Sequence, residues 1–364
     1  MSDPDPDAAP NASSSEEAPS LNPNLTQHTN ADPSRLRPAE EYVAGIREGD
    51  RVVLSQAITL LESTRPDHRE RAQAVVDACL PAPDDSLRVA VTGVPGVGKS
   101  TFIERLGPQL LEAGHRLAVL AIDPSSEQSK GSILGDKTRM GRLTAHDNVY
   151  VRPSPTSGHL GGVARRTREA IFLCEAAGFD TVLIETVGVG QSEISVRSMV
   201  DVFLLLALPG AGDQLQGIKR GIVEMADVIA VNKADGDRRP AAETARAEYE
   251  RALELLSGPD EDWTVPVHTC SAETEEGLAE VWASVDEYQS LARHTGRFEA
   301  RRREQARHWI EQTIEDALRE EFYDTPAVQS ARQELEDQVL RGELSSVRAA
   351  QELLRVYRES LTPE

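Results

Sequence analysis

One short glycine-rich segment constrains the fold of this chain more than any other. It has a G-x-x-x-x-G-K-S pattern, follows an apolar run and leads into a helical pattern. Glycines let the backbone wrap around phosphate oxygens and present successive N–H groups at a helix start. Lys99 can bring positive charge to the β- and γ-phosphates, and the Ser100 hydroxyl can ligate Mg²⁺. We therefore predict a nucleotide-binding P-loop made of Gly93, Val94, Pro95, Gly96, Val97, Gly98, Lys99, Ser100 and Thr101.

A second motif, N-K-x-D, predicts which base is bound. Asn232, Lys233 and Asp235 follow the apolar residues 228–231, at the expected end of a buried strand. A carboxylate there can accept hydrogen bonds from the N1–H and the exocyclic amine of guanine, and adenine lacks that pair of donors. We expect Asp235 to select guanine, Asn232 to meet the purine edge and the Lys233 stem to cover the ring.

The base site is expected to continue further along the chain. Residues 265–267 read as an apolar strand, and Ser271 and Ala272 follow it. These two residues resemble the guanine-contacting S-A element of G proteins. Together with the P-loop, they predict GTP and GDP as ligands and Mg²⁺ as a cofactor.

The segment expected to sense the γ-phosphate departs from its usual pattern. Residues 184–188 read I-E-T-V-G, so that Glu185 stands where G proteins usually have the aspartate of D-x-x-G. A longer side chain or a water would then reach magnesium, and Gly188 would offer its N–H to the γ-phosphate. Val189 occupies the place of the water-orienting glutamine of Ras-like proteins, and the nearest glutamine is Gln191. We therefore expect slow intrinsic hydrolysis unless another group or a partner completes the site.

Three polar, glycine-rich stretches near expected strand ends hold further candidates. Asp123 and Asp136 carry carboxylates, which hard cations prefer as ligands, although both also fit solvated loop acids. The third stretch, residues 210–219, contains Asp213 and Lys219. If they have no functional role, Asp213 would be a helix cap and Lys219 a surface lysine. Lys219, near glycines, is our first candidate for the positive charge that phosphoryl transfer needs, ahead of Arg220 and Arg139.

The pattern of apolar runs predicts the fold class. Short β-branched runs alternate with helical segments and show no polar alternation, which is typical of strands buried on both faces. We predict an α/β fold with a doubly wound, mainly parallel sheet. The expected strands are residues 87–91, 117–122, 181–184, 202–208 and 228–231.

Composition divides the chain into four parts. Residues 1–35 are rich in Pro, Ser, Asn and Asp and are expected to form a disordered acidic tail. Residues 36–84 show helical spacing with proline breaks, which predicts an extension of two or three short helices. Residues 85–295 would form the P-loop domain, and residues 296–364 a charged helical arm without strands.

Bulk charge and cysteine usage narrow the class of protein. Asp and Glu number 61 against 39 Lys and Arg, a net charge of −22, which disfavours binding to nucleic acid or to anionic lipid. The three cysteines are far apart and show no C-x-x-C spacing. This pattern is typical of buried thiols in a reducing compartment and not of disulfides or a zinc site. No apolar run has the roughly 18 residues of a membrane span. The N-terminus has no basic or apolar signal region. We expect a cytoplasmic protein with no membrane partner.

Several longer runs carry a close family resemblance. DPSS, GSILGDKTRM, SGHLGG, ETVGVGQSE and DQLQGIKRG occur in this order with the P-loop and NKAD. In motif order and spacing, over about residues 38–340, the chain resembles the MeaB/MMAA family, GTPases associated with methylmalonyl-CoA mutase and once called ArgK-type transport kinases. The resemblance implies a P-loop GTPase of the SIMIBI class, with an N-terminal helical extension and a C-terminal helical arm that dimerises.

The resemblance also implies roles for individual residues. Asp123 and Asp136 would help to organise magnesium and the switch, and Glu185 would be the Walker-B-like acid. A further switch, which couples the nucleotide state to the mutase, would contain Asp213, Gln216 and Lys219. With Lys99, these residues make up the expected catalytic set: Lys99, Asp123, Asp136, Glu185 and Lys219.

The implied function is to chaperone an adenosylcobalamin-dependent acyl-CoA mutase, by gating cofactor loading and protecting the holoenzyme. The sequence has no D-x-H-x-x-G cobalamin-ligating motif, so the partner is expected to hold the cobalamin. Two alternatives remain open: a nickel or cobalt metallochaperone GTPase, and a binding module in which GTP only stabilises a complex. The older interpretation as a kinase of an amino-acid-binding protein fits poorly with a guanine-selecting Asp235.

The C-terminal segment predicts self-association. It carries apolar residues at helical spacing between many charges, and such stripes must be buried somewhere. Packing on the chain's own domain is the alternative to a homodimer in which these helices reach the other subunit. The residues are Trp309, Ile310, Ile314, Leu318, Phe322, Leu335, Val339 and Leu340.

Overall fold

The structure is a computed structural model that describes residues 36–80, 85–122, 140–154, 160–186, 192–210, 220–256 and 262–361. Contacts divide the chain into Met1–Arg37 and Pro38–Glu364, and the description below concerns the second unit.

Within the described residues a seven-stranded sheet forms the centre of the fold. Its strand order is β3-β2-β4-β1-β5-β6-β7, and each neighbouring pair is parallel. The central strand β1 is buried along its whole length, as its continuous apolar run predicts. The predicted α/β fold with a parallel, doubly wound sheet is confirmed. The strands are β1 (Leu87–Gly93), β2 (Leu117–Ile122), β3 (Val149–Ser154), β4 (Thr181–Thr186), β5 (Val202–Ala207), β6 (Val228–Val231) and β7 (Val267–Thr269).

Two strands differ from the sequence-based expectation. Strand β3 was not predicted, because its sequence carries an arginine and a proline, and proline removes a ladder donor. It lies at the edge of the sheet, where a missing donor is tolerated, and pairs with β2. The strand expected at residues 265–267 lies further along the chain, because β7 begins at Val267. Val267 is the first residue that pairs with β6, and Pro266 lies just before it.

Helices flank the sheet and extend beyond it at both ends of the described chain. The first three lie before β1, within residues 36–84, and the last three lie within residues 296–364; the division into an extension and an arm stays a prediction. The α-helices of the described residues are α1 (Ala39–Arg47), α2 (Arg51–Glu62), α3 (Pro66–Cys79), α4 (Lys99–Glu112), α5 (Gly141–Thr144), α6 (Leu160–Ala176), α7 (Ser192–Arg197), α8 (Arg220–Glu224), α9 (Arg239–Leu256), α10 (Leu278–His294), α11 (Arg297–Asp324), α12 (Pro326–Leu340) and α13 (Ser346–Ser360).

The core on one face of the sheet positions the helix that follows the P-loop. Val89 and Val91 of β1 belong to the same buried cluster as Phe102, Ile103 and Leu106 of α4. Each of these side chains is at most 1% exposed. Burial of a side chain of this size contributes about 2 kcal/mol to stability, so α4 is held firmly under the P-loop.

The N-terminal helices are fixed to the sheet edge by arginines. Arg152 of β3 donates to the Ser55 carbonyl oxygen at 3.2 Å, to Thr59 Oγ1 at 3.2 Å and to Glu62 Oε2 at 2.5 Å. The three acceptors lie at helical spacing on α2, so one guanidinium contacts almost two turns of that helix. Helix α2 thereby covers the edge strand.

The first half of α11 is tied to the turn between α7 and β5. Gln305 Nε2 donates to the Val200 carbonyl oxygen at 2.7 Å, and Trp309 Nε1 donates to that of Ser198 at 3.0 Å. Gln305 is 7% exposed and Trp309 is 3% exposed. Both bonds end on backbone atoms, so they depend on the position of the turn and not on its side chains.

Ion pairs strengthen the same junction. Arg302 Nη2 lies 2.7 Å from Asp201 Oδ2. Asp227 accepts from Arg197 Nη1 at 2.5 Å, and Arg301 Nη1 approaches it at 3.4 Å. The side chains of Asp201 and Asp227 are 3% and 8% exposed, so these pairs lie largely inside the protein.

No helix among the described residues has the length and apolar character to cross a membrane.

Candidate functional site

The P-loop lies between the end of β1 and the start of α4. Gly93 has φ +143° and Gly98 has φ +101°, a region that residues with a side chain rarely adopt. A Cβ on Gly93 would collide with the Leu206 carbonyl oxygen, and one on Gly98 would lie 2.8 Å from Asn232 Nδ2. Because α4 begins at Lys99, the unpaired N–H groups of its first turn belong to this loop.

Lys99 is directed back at the loop that precedes it. Its Nζ donates to the carbonyl oxygens of Gly93 at 2.8 Å and Val94 at 3.2 Å, and the residue is 7% exposed. A charged phosphate oxygen is a stronger acceptor for an ammonium group than a neutral carbonyl. The lysine is therefore placed to exchange one set of acceptors for the other.

The last P-loop position meets the acid at the end of β4. Ser100 Oγ donates to Glu185 Oε1 at 2.6 Å, although the two residues are 85 positions apart. Beside them the Thr186 hydroxyl donates to Thr92 Oγ1 at 2.9 Å. A hydroxyl and a carboxylate oxygen in contact form the oxygen-rich donor set that Mg²⁺ prefers, so these residues fit the ion.

Asn232 joins the two halves of the site. Its Nδ2 donates to the Val97 carbonyl oxygen at 2.8 Å, and its Oδ1 accepts from the Ala272 N–H at 3.0 Å. The side chain is 1% exposed. We expected Asn232 to meet the purine edge; in the structure both ends of its amide contact the protein, and one Nδ2 hydrogen remains for another acceptor.

The other residues of N-K-x-D also contact the predicted loops. Lys233 Nζ donates to the Gly96 carbonyl oxygen at 2.6 Å, which lays its stem across the P-loop. Asp235 Oδ1 accepts from Ser271 Oγ at 2.9 Å. Asp235 and Ser271, predicted from separate motifs, therefore lie side by side.

The Asp235 carboxylate is stabilised in its ionised form. The hydrogen bond from Arg238, at 2.5 Å to Oδ2, and then the bond from Ser271 hold the pKa of Asp235 below its ordinary value of 3.8. An ionised carboxylate offers about four lone-pair directions, so two protein donors leave room for two more. Two is the number of donors that guanine presents on this edge.

The structure thus brings the P-loop, Glu185, the N-K-x-D residues and the Ser271–Ala272 pair into one region. Their roles in binding remain predictions. The other predicted site residues lie outside the described residues, and their roles also remain predictions: Asp123, Asp136, Gly188, Asp213, Gln216 and Lys219.

The motif analysis missed some residues that complete this region. Arg238 lies three positions after Asp235, a spacing that brings side chains together in a helical turn and that could have suggested the contact. Thr92 lies next to the last residue of β1 and Thr186 is the last residue of the adjacent β4, and nothing in their local sequence indicates that their hydroxyls meet.

Comparison with known proteins places the chain among GTPases. A sequence profile described as "Methylmalonyl Co-A mutase-associated GTPase MeaB" matches residues 54–327. A probable GTPase of Mycobacterium bovis is 54% identical over 311 residues, which are 85% of this chain and 93% of that protein. The mitochondrial methylmalonic aciduria type A homolog of Mus musculus is 45% identical over 345 residues, which are 92% of this chain and 83% of that protein.

A solved structure extends the agreement to the fold. The crystal structure of an LAO/AO transport system kinase superposes with a TM-score of 0.70 at 34% identity, over 89% of this chain and 100% of that one. The profile covers more than half of the chain and includes all the described site residues. The chain is a GTP hydrolase and belongs to the family of methylmalonyl Co-A mutase-associated GTPases MeaB.

Proposed function

We propose that this GTPase is a chaperone of an adenosylcobalamin-dependent acyl-CoA mutase, namely methylmalonyl-CoA mutase. It would gate the loading of the cofactor and protect the loaded enzyme. The observation that carries the proposal is the match of residues 54–327 to a family described by its association with that mutase. We further propose that the protein acts as a homodimer in the cytoplasm.

In this proposal guanine is bound by Asp235 together with Ser271 and Ala272. The free acceptor directions of the Asp235 carboxylate take the N1–H and the exocyclic amine of guanine. The Ser271 hydroxyl, 2.9 Å from Asp235 Oδ1, fixes the orientation of that carboxylate. Asn232 keeps the base loop and the P-loop at a constant separation, because it bonds to both.

The phosphates lie along the P-loop. Lys99 Nζ gives up its bonds to Gly93 and Val94 and donates to phosphate oxygens, which adds positive charge where negative charge develops during transfer. Ser100 and Glu185 would hold Mg²⁺, with Asp123 and Asp136 as further ligands proposed from the sequence. When bound, the ion supplies positive charge to the phosphate oxygens.

We propose that hydrolysis is slow in the free protein and is accelerated by the mutase. Val189 offers no polar group to orient the attacking water, and a cation added at the γ-phosphate can raise the rate about 10³–10⁵-fold. Lys219 is the proposed source or relay of that charge, with Asp213 and Gln216 in the same coupling segment.

The proposal is tested by measuring GTP turnover with and without purified mutase, and adenosylcobalamin transfer with GTP and with a slowly hydrolysed analogue. We expect low turnover alone, a large increase with mutase, and a difference in transfer between the two nucleotides. Asp235→Asn, tested with xanthosine triphosphate, links the effect to this site: the variant should respond to XTP and no longer to GTP.

Two results would contradict the proposal. Turnover of many per second without mutase would exclude a site completed by a partner. Equal cofactor transfer with GTP and its analogue would instead indicate a binding module in which hydrolysis has no role.

A further inference from the structure

Two residues other than glycine have a positive φ among the described residues, and both lie in the proposed base site. They are Lys233, with φ +64°, and Glu275, with φ +66°. This conformation is unfavourable for residues with a side chain and persists only where surrounding contacts enforce it. Lys233 belongs to N-K-x-D, whereas Glu275 belongs to no motif that the sequence analysis used.

The side chains of these two residues reach the same part of the fold. Lys233 Nζ donates to the Gly96 carbonyl oxygen of the P-loop at 2.6 Å. Glu275 Oε1 accepts from Arg105 Nη1 at 3.0 Å. Arg105 lies on α4, the helix that begins with Lys99. Each unfavourable backbone conformation is therefore accompanied by a bond to the phosphate-binding half of the site.

The loop that carries Glu275 is short and closed on itself. The Ser271 N–H donates to the Glu276 carbonyl oxygen at 2.9 Å, and the Thr274 N–H donates to Ser271 Oγ at 3.2 Å. Because Ser271 Oγ also donates to Asp235, a shift of Glu275 would be transmitted to the group that orients the guanine-selecting carboxylate.

We propose that the Arg105–Glu275 ion pair is a positioning element for guanine recognition, which ties the loop of Ser271 and Ala272 to the helix of the P-loop. The inference rests on the proposed nucleotide site. Neither residue touches the nucleotide in this proposal. The pair acts by fixing the distance between the base half and the phosphate half of the site.

The size of the effect follows from exposure. The side chains of Arg105 and Glu275 are 33% and 47% exposed, so solvent screens their attraction. We expect Glu275→Gln and Arg105→Gln each to raise the dissociation constants of GDP and of a slowly hydrolysed GTP analogue about twofold to fivefold. In turnover assays the KM for GTP should rise by the same factor, with little change in kcat. This factor should shrink between about 0.05 M and about 0.5 M salt, because salt screens exposed charges.

Glu275→Gly separates the ion pair from the backbone conformation. Glycine adopts a positive φ without steric strain, so this variant can keep the loop conformation while it loses the ion pair. We expect it to bind GDP as weakly as Glu275→Gln. The double variant Arg105→Gln/Glu275→Gln should bind no more weakly than either single variant, because the two share one interaction.

The matched control is Glu343→Gln, which breaks an arginine–glutamate pair on the C-terminal arm. Arg341 and Glu343 lie 2.9 Å apart and are 55% and 56% exposed, far along the chain from the nucleotide loops. Its GDP affinity should equal that of the wild type. Wild-type affinity in Glu275→Gly, or additive losses in the double variant, would overturn the inference. Failure of the wild type itself to bind GDP would instead refute the proposed site.

Discussion

The amide of Asn232 is buried and bonds to the P-loop at one end and to the loop of Ala272 at the other. Its partners lie 135 and 40 positions away in the sequence. Breaking either bond would leave a buried polar group unsatisfied, at a cost of about 1–3 kcal/mol. At the scale of single residues, the motif's asparagine therefore has a clear structural role in addition to the expected base contact.

Asp235→Asn tests the choice of base. The amide that replaces the carboxylate offers one acceptor oxygen and two donor hydrogens, and guanine presents two donors on this edge. GTP affinity should fall by at least about 30-fold, whereas xanthosine triphosphate, which carries an oxygen in place of the amine, should bind more tightly than it does to the wild type. Calorimetric titration of both nucleotides measures the two changes, and unchanged GTP affinity would refute the assignment.

The sequence indicated which residues the fold brings together better than it indicated their contacts. The P-loop, Glu185 and N-K-x-D could be found because each is a short local pattern at a strand end. The contact of Ser100 with Glu185 and the two bonds of Asn232 could be seen only after folding, since they depend on how distant strands pair.

At the scale of elements, the strands buried on both faces were predictable and the edge strand β3 was not, whereas β7, at the opposite edge, was expected with other bounds. Strand β3 has one strand neighbour, β2, so its sequence needs less apolar character, and α2 covers it through Arg152. A strand whose polar side chains bond to a neighbouring helix lacks the apolar pattern by which strands are predicted, because that pattern depends on burial and not on strand pairing.

Asp227→Asn tests the junction between α11 and the sheet. The carboxylate is 8% exposed and pairs with Arg197 and Arg301, so its neutralisation would leave two partly buried guanidinium groups without their counter-charge. We expect the free energy of unfolding to fall by about 3 kcal/mol, measured as a lower midpoint of urea unfolding.

An exposed aspartate that also pairs with an arginine of α11 provides the control. Asp262 pairs with Arg297 at 2.7 Å, but the two side chains are 60% and 49% exposed. Asp262→Asn should change stability by less than about 1 kcal/mol. Equal losses in the two variants would mean that burial does not set the strength of these pairs.

At the scale of the whole molecule, the second half of α11 presents an apolar stripe. Ile310, Ile314 and Leu318 are 62%, 53% and 57% exposed and lie four residues apart, on one side of the helix. Trp309, which the sequence analysis placed in the same stripe, is instead buried against the chain's own α7–β5 turn, so packing on the chain's own domain accounts for part of the predicted stripe. We propose that a homodimer covers the three exposed residues. We expect sedimentation at micromolar concentration to give a dimer.

Ile314→Glu should convert that dimer to monomers, because it places a charge within the stripe. Val52, 61% exposed on α2, provides the matched variant Val52→Glu, which should remain dimeric. A monomeric wild type, with or without nucleotide, would refute the homodimer. Dissociation by Val52→Glu alone would move the interface to the N-terminal helices.

The anchorage of α11 gives the arm the properties of a lever. The helix has 28 residues, and its last contact with the α7–β5 turn is made by Trp309. The 15 residues beyond Trp309 extend about 22 Å, so a tilt of about 5° at the turn would displace the end of α11 by about 2 Å, against the exposed Arg69–Glu320 ion pair with α3. The turn directly follows α7 (Ser192–Arg197), so a tilt of α7 would produce a larger displacement at the end of α11 than at the turn.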